Sequence, residues 1–391
     1  MSKVKVSIVK TEDAYKGVRE AIELIRPRLK WRNAKVFVKP NLCSPFPAHE
    51  TPGNTHPDVI GGLIRFLKEE GAEKVYVGDD PVWGLTSRFA YERNETEEVV
   101  RKEGGQLVYF EEEERISKKV PRGRVYSSIS VPKIFDEADI FINVPKMKTS
   151  TMTLVTLGLK NLFGVLSFAD RKKSHRGVDL SFGLVDIANV IRPHLNLIDG
   201  IVAMEGNGPH DGTPIKVGVL IASQDITAAD LVGTEVMGFD PLEPFANQAA
   251  LKYGPGIRSP EEIEVVGEPL DRVKKSFKRP LFRLVHPQPN VEVFPGGICP
   301  GCMSRIPRIP PQVKAEKRYA VLIGNRVNYP DEMEFDEIWC FGRCGTEEGK
   351  KLARRHPRLK DKIRTVPGCP PLDWWREQTL DKEMKAKGWI K

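Results

Sequence analysis

No run of about 18 consecutive apolar residues occurs, which argues against a conventional membrane-spanning helix. The opening stretch MSKVKVSIVK alternates as a strand does and lacks the apolar core of a secretory signal, so a cytoplasmic protein with no membrane association is expected. Phosphate-binding P-loops, nucleophile elbows and dinucleotide fingerprints are missing too, which removes the commonest nucleotide and acyl-transfer chemistries. Aromatic residues are scarce, at 8%, and are not interleaved with the basic runs, so base stacking on RNA has little support. Cysteine is nearly absent from the first 298 residues, where Cys43 stands alone. The other five cysteines fall between 299 and 369, and in a reducing compartment such crowding points to metal or redox chemistry rather than disulfides.

What is present fits a globular protein, 40% hydrophobic and 29% charged, and 391 residues suit two domains or three. Short apolar runs at 4–9, 35–39, 74–78, 139–144, 195–199, 216–222 and 262–267 read as strands. Helical patterns at 12–29, 56–70 and 226–238 lie between them, which predicts a mainly parallel, doubly wound α/β sheet over residues 1–268. Residues 269–292 are basic and carry four prolines, as a linker or a strap over the surface would. From 293 to 391 a second, smaller α/β domain is expected. Its strands are predicted at 318–327, 337–345 and 362–371, with a helix at 347–355. The net charge is +8, and residues 350–364 hold eight Lys or Arg against one Asp. Such a run reads first as a solvated helix face, and otherwise as a surface for nucleic acid or an acidic partner.

The cysteines occur as ICPGCMS at 298–304, FGRCGTEEG at 341–349 and TVPGCPP at 365–371. Cys299 and Cys302, spaced C-x-x-C, can reach one metal centre from a single turn, with nearby amides donating to the sulfurs. Cys344 and Cys369 each follow an apolar strand, and strand ends of a parallel sheet share one edge. The order of these motifs resembles the [4Fe–4S] site of hydrogenase small subunits and their complex I relatives over about 80 residues. That resemblance implies a cubane held by Cys299, Cys302, Cys344 and Cys369. A structural zinc ion is the alternative occupant of four thiolates. Cys340 could replace Cys344 as a ligand, but inside its apolar strand it reads first as a buried small hydrophobe.

Polar motifs also follow the strands of the large domain, where open α/β sheets assemble ligand sites. Lys39, Lys146, Lys148 and Lys160 are cationic donors suited to a small anion, with Asn41, Asn161 and the backbone at Gly206 and Gly208 beside them. Asp79, Asp199 and Glu205 are candidate acids, bases or ligands of a divalent metal, and His175 lies in a cationic loop that would act as a clamp or lid. Cys43, beside Lys39-Pro40-Asn41, is open to three readings: nucleophile, additional metal ligand or small loop residue. The motifs KPN, GDDP, VPKMKTSTMT with GLKNLFG, RKKSHR and DGIVAMEGNGP together resemble the domain of unknown function 362 family from about 35 to 240. Members of that family are often linked to ferredoxin-like clusters; here the C-x-x-C-x-x-C insert is lacking and the hydrogenase-like module stands instead. The expected function is an iron–sulfur oxidoreductase or electron-transfer protein with an unidentified redox partner and an anionic substrate. A nucleic-acid-binding or RNA-modifying protein, or a scaffold that delivers clusters, are the competing readings.

Overall fold

The computed structural model describes residues 3–368 except 49, 82–84, 168–169, 172–176, 210, 281–289, 297–301, 303–313, 315, 326, 328–333 and 367. It divides into two compact units, the first from residues up to 171 and from 181 to 280, the second chiefly from 281 onward.

In the first unit the strands are β1 (Val4–Lys10), β2 (Lys35–Pro40), β3 (Lys74–Val77), β4 (Gln106–Leu107), a separate pair β5 (Arg115–Lys119) and β6 (Ser128–Pro132), then β7 (Ile140–Val144), β8 (Lys146–Ser150), β9 (Leu154–Thr156), β10 (Leu195–Asn207), β11 (Asp211–Ser223) and β12 (Ile263–Gly267). The main path runs β12-β1-β11-β10-β7-β2-β3-β4, with β8 and β9 branching from β10. Every neighbour on that path is parallel except β11, which is antiparallel to both β1 and β10. The fold is therefore mixed α/β and mostly parallel.

Helices cover both faces because strand side chains alternate. Val36, Val38 and Ile142 pack on one face with helices Ala14–Ile25 and Pro57–Glu69, while Ile8, Ile198 and Ile221 pack on the other with helix Ile226–Val236. Each start is set locally: Asp13 accepts from the Lys16 amide and Asp225 from the Ala228 amide, and Pro57 opens the second helix where its missing N–H costs nothing.

Three sequence expectations are corrected here. The strand at 195–199 does not stop at Asp199 but continues to Asn207, because the alternating Val202–Met204 segment pairs with Pro214–Lys216 in a long hairpin with β11. The polar stretch after β7 is not a loop but strand β8, paired to β10 and β9. The first part of the basic, proline-rich stretch belongs to the large unit, since Val273 and Phe277 lie in its core and Gly206 donates to the Lys278 carbonyl at 2.9 Å.

The second unit is a four-stranded parallel sheet, β13 (Val291–Pro295), β14 (Tyr319–Ile323), β15 (Glu337–Phe341) and β16 (Ile363–Val366), in that order. The strand expected at 337–345 ends at Phe341, and the helix expected at 347–355 starts earlier: it runs Gly342–Arg355, entered through Gly342 at φ +74°. Leu352 from that helix packs with Ile338 and Cys340.

Candidate functional site

Strands β10, β7, β2 and β3 are adjacent and parallel, so their carboxyl ends bring together residues far apart in sequence. Lys39 Nζ lies 2.7 Å from Asp79 Oδ1, and Lys146 Nζ lies 2.7 Å from Asp199 Oδ2. All four side chains are shut off from solvent. A third buried pair joins Arg171 to Asp80. Burial pulls Lys39 below the ordinary ammonium range and pushes Asp79 above the ordinary carboxyl range, with each partner opposing the shift in the other. Buried charges of this kind are tolerated only when paired and hydrogen-bonded. Accordingly, Asp79 also accepts from the Leu42 amide at 2.7 Å, and Asp199 from the His56 amide at 2.8 Å. The Lys146–Asp199 pair is cross-strand, since their Cα atoms are register partners in β8 and β10.

A line of carboxamides braces this edge. Asn41 donates to Asn161 at 2.9 Å, Asn161 to Asn143 at 2.8 Å, and Asn143 to Asn196 at 3.1 Å. Asn161 therefore spends its amide within the protein, and the Lys39 and Pro40 carbonyls also accept from it. Asn143 and Asn196 escaped sequence reasoning because an Asn inside an apolar strand gives no motif; their pairing needs β7 and β10 side by side. Asp80, Arg171 and Asp230 were missed as well, although Asp80 lay next to Asp79 in the quoted GDDP turn. Asp230 holds the start of helix Gly158–Asn161 through the Gly158 and Leu159 amides at 2.6 and 2.9 Å, and burial raises its carboxyl to about 7.

The other expected residues separate by role. Lys148 is buried and donates to the Gly53 carbonyl at 2.7 Å. Burial lowers its ammonium, and the neighbouring Cys43 thiol, hydrogen-bonded to it, works the other way. Glu205 commits both oxygens to Lys278, its backbone amide at 2.9 Å and its ammonium at 2.8 Å, which ties the 270–280 strap to the hairpin. Burial opposes ionisation of Glu205, but the Lys278 hydrogen bonds prevail and hold its carboxyl below the usual range. Lys160 is only partly buried and lies over the Phe163 ring, 5.0 Å from its centroid. Gly206 has φ +77°, and Gly208 passes so close to strand β8 that an added Cβ would stand 2.1 Å from the Thr149 carbonyl oxygen. His175 lies outside the described residues.

In the second unit the four strands end level: Pro295, Ile323, Phe341 and Val366 are successive register partners. The cysteine-bearing segments leave from this edge. Cys344 is exposed in the first turn of helix Gly342–Arg355. Arg343 donates its amide to the Gly368 carbonyl at 2.8 Å, so the residue before Cys344 adjoins the residue before Cys369. Cys302 is buried against Ile323, Phe341 and Val366. Cys299 and Cys369 lie outside the described residues. Cys340 points to the other face, and burial pushes its thiol up to about 12, unsuited to metal ligation.

Fold and site define a two-unit α/β protein with a buried array of cation–carboxylate pairs at the carboxyl edge of its larger sheet. The chain belongs to the family described as domain of unknown function 362, whose model matches residues 36–235, the segment that carries the array. It is 31% identical over 254 residues to a thylakoid-associated protein of Synechocystis, a match covering 63% of this chain and 76% of that one. Among solved structures, the lactate racemase apoprotein of Thermoanaerobacterium thermosaccharolyticum gives a TM-score of 0.41 at 13% identity, over 61% of this chain and 57% of the other. A Thermotoga maritima crystal structure gives 0.39 at 11% identity, over 96% and 95% of the two chains. Among the described residues no helix is long and apolar enough to cross a membrane.

Proposed function

We propose that this is an iron–sulfur redox protein: its small unit holds a [4Fe–4S] cluster and its large unit acts on a small anionic substrate or cofactor. The observation that carries the cluster is the level ending of four parallel strands in the small unit, from which the C-x-x-C, Cys344 and Cys369 segments all depart. Cys299, Cys302, Cys344 and Cys369 would be its ligands, and the cluster would supply one-electron transfer. Cys344 is exposed at a helix start, so its sulfur is open to a ligand there. In the large unit, the paired Lys39–Asp79 and Lys146–Asp199 would hold or relay protons beside the substrate, and Lys160 remains partly accessible for an anion. Because Asp79 and Asp199 are already spent on lysines, a divalent metal there would have to displace an ammonium ion.

Oxygen-free purification tests the reading. A brown protein with about four iron and four acid-labile sulfide per chain is expected, and Cys302→Ser and Cys344→Ser should each lower both. A colourless protein containing one tightly held zinc ion would defeat it.

A second reading has one observation in its favour. Arg354, Arg355, Arg358, Lys360 and Arg364 are all exposed on the small unit, as a surface for nucleic acid would require. Retention on RNA that falls steeply with salt would support it, and salt-insensitive binding would count against it.

A further inference from the structure

Helix Gly342–Arg355 of the small unit carries its acids early and its cations late. Glu347 is paired with Lys350 at 2.8 Å and Glu348 with Lys351 at 2.7 Å, and from 349 to 360 no Asp or Glu occurs. Over residues 342–364 nine Lys or Arg stand against three Asp or Glu, a surplus of six in a chain whose whole net charge is +8. A helix face that needs only to be wetted mixes its signs, because like charges four residues apart repel. Here Lys350 with Arg354 and Lys351 with Arg355 are both like-charged at that spacing.

Local structure does not explain the surplus. The helix field accounts for Arg354 and Arg355 in the last turn. It does not reach Arg358 and Lys360, which are exposed in the Pro357–Lys362 turn packed on the helix. Arg343 is exposed in the first turn, where the same field disfavours a cation. Arg343, Arg354, Arg358 and Lys360 have no carboxylate partner among the described residues. Cys344, Lys351 and Arg355 recur at spacings of seven and four, so they fall on one exposed stripe of the helix. Its two ends lie ~16 Å apart at 1.5 Å per residue. A weak redox encounter buries about 1,200 Å² in total or less, a footprint wide enough to take in Cys344 and the cations together.

We propose that this stripe and the Pro357–Lys362 turn form the docking face for an acidic one-electron carrier protein. The inference rests on the iron–sulfur reading and names the partner of that centre. The carrier loses one electron and the cluster beside Cys344 gains it, with no bond made or broken. Unpaired cations draw an acidic partner in over distance and orient it, while contributing little to tight binding, as a partner that must also leave requires. Protein fits this face better than nucleic acid because no base-stacking platform adjoins it among the described residues. Phe294, Tyr319, Phe335 and Phe341 are buried, and Trp339 is taken up by the Tyr319 ring and the Glu337 carboxylate.

The test is binding of the full-length protein, purified without oxygen, to a strongly acidic [2Fe–2S] ferredoxin as probe, followed by calorimetry as NaCl is raised. Binding should weaken with salt, since the screening length falls from ~30 Å at 0.01 M to ~8 Å at 0.15 M. Arg354→Glu/Arg358→Glu should weaken it ~10-fold or more at low salt. Lys274→Glu/Lys275→Glu makes the same charge change on exposed lysines of the large unit and should leave it within ~2-fold. Carbodiimide, which joins a lysine directly to a carboxylate, should cross-link the probe to Lys350, Lys351 or Lys360. Equal weakening by the two reversals, cross-links confined to the large unit, or no binding at low salt would overturn the inference. So would a single-stranded RNA oligonucleotide that binds more tightly than the ferredoxin at the same salt and is released by Arg354→Glu/Arg358→Glu. Iron and sulfide content separates the two readings. A four-iron protein that ignores the probe keeps the cluster and loses the docking face. A protein without iron that binds the probe on Lys350, Lys351 or Lys360 keeps the face and loses the electron step.

Discussion

Lys146 and Asp199 face each other across strands β8 and β10, nitrogen to oxygen 2.7 Å, with neither side chain reachable by solvent. Removing one partner leaves a buried charge unmatched. Lys146→Met should therefore cost about 3–5 kcal/mol in denaturant unfolding. The double variant Lys146→Met/Asp199→Leu should cost less than the sum of the two single changes. It will not be neutral, because the His56 amide also depends on Asp199. Additive single costs would show that the two side chains do not interact.

Gly164 abuts the Lys39–Asp79 pair. A Cβ there would lie 2.4 Å from Asp79 Oδ1 and 2.9 Å from Lys39 Nζ. Gly164→Ala should thus push the pair apart and destabilise the protein by about 1–3 kcal/mol. A melting temperature equal to that of the unmodified protein would contradict this packing.

Asp230 makes stability depend on pH. Its carboxyl titrates at about 7 when folded, against about 4 in the unfolded chain. Between those values the folded protein keeps a proton that the unfolded chain has released. Its contribution is therefore complete below about pH 4 and lost as pH rises through 7. Asp230→Asn should flatten that part of the stability profile. A slope that persists unchanged would locate the titration elsewhere.

Cys340 is a packing residue on the face opposite Cys302. Cys340→Ala should leave iron and sulfide content unchanged and lower stability by about 1 kcal/mol, the scale of one small buried group. Loss of metal in this variant, with Cys344→Ser retaining it, would exchange their roles.

Much of this protein was legible in the chain alone. Short apolar runs such as Val36–Val38 and Ile140–Val144 are long enough only for buried strands, and the intervening helical periods predict an α/β sheet. The motifs around Lys39, Asp79 and Lys146 announced one edge, because parallel strands align their carboxyl ends whatever their order. Tertiary structure alone decided what those residues do. Asp199 and Glu205 are polar in the same way on paper, yet one neutralises a lysine across strands and the other ties down the strap at Lys278. Continuation of β10 past Asp199 depended on pairing with β11, the other arm of the same hairpin, which the apolar run at 195–199 does not encode. The carboxamide line likewise joins residues on separate elements, Asn41 and Asn161 being 120 positions apart. Residue type sets which partners a buried group requires; only the folded topology determines which ones it receives.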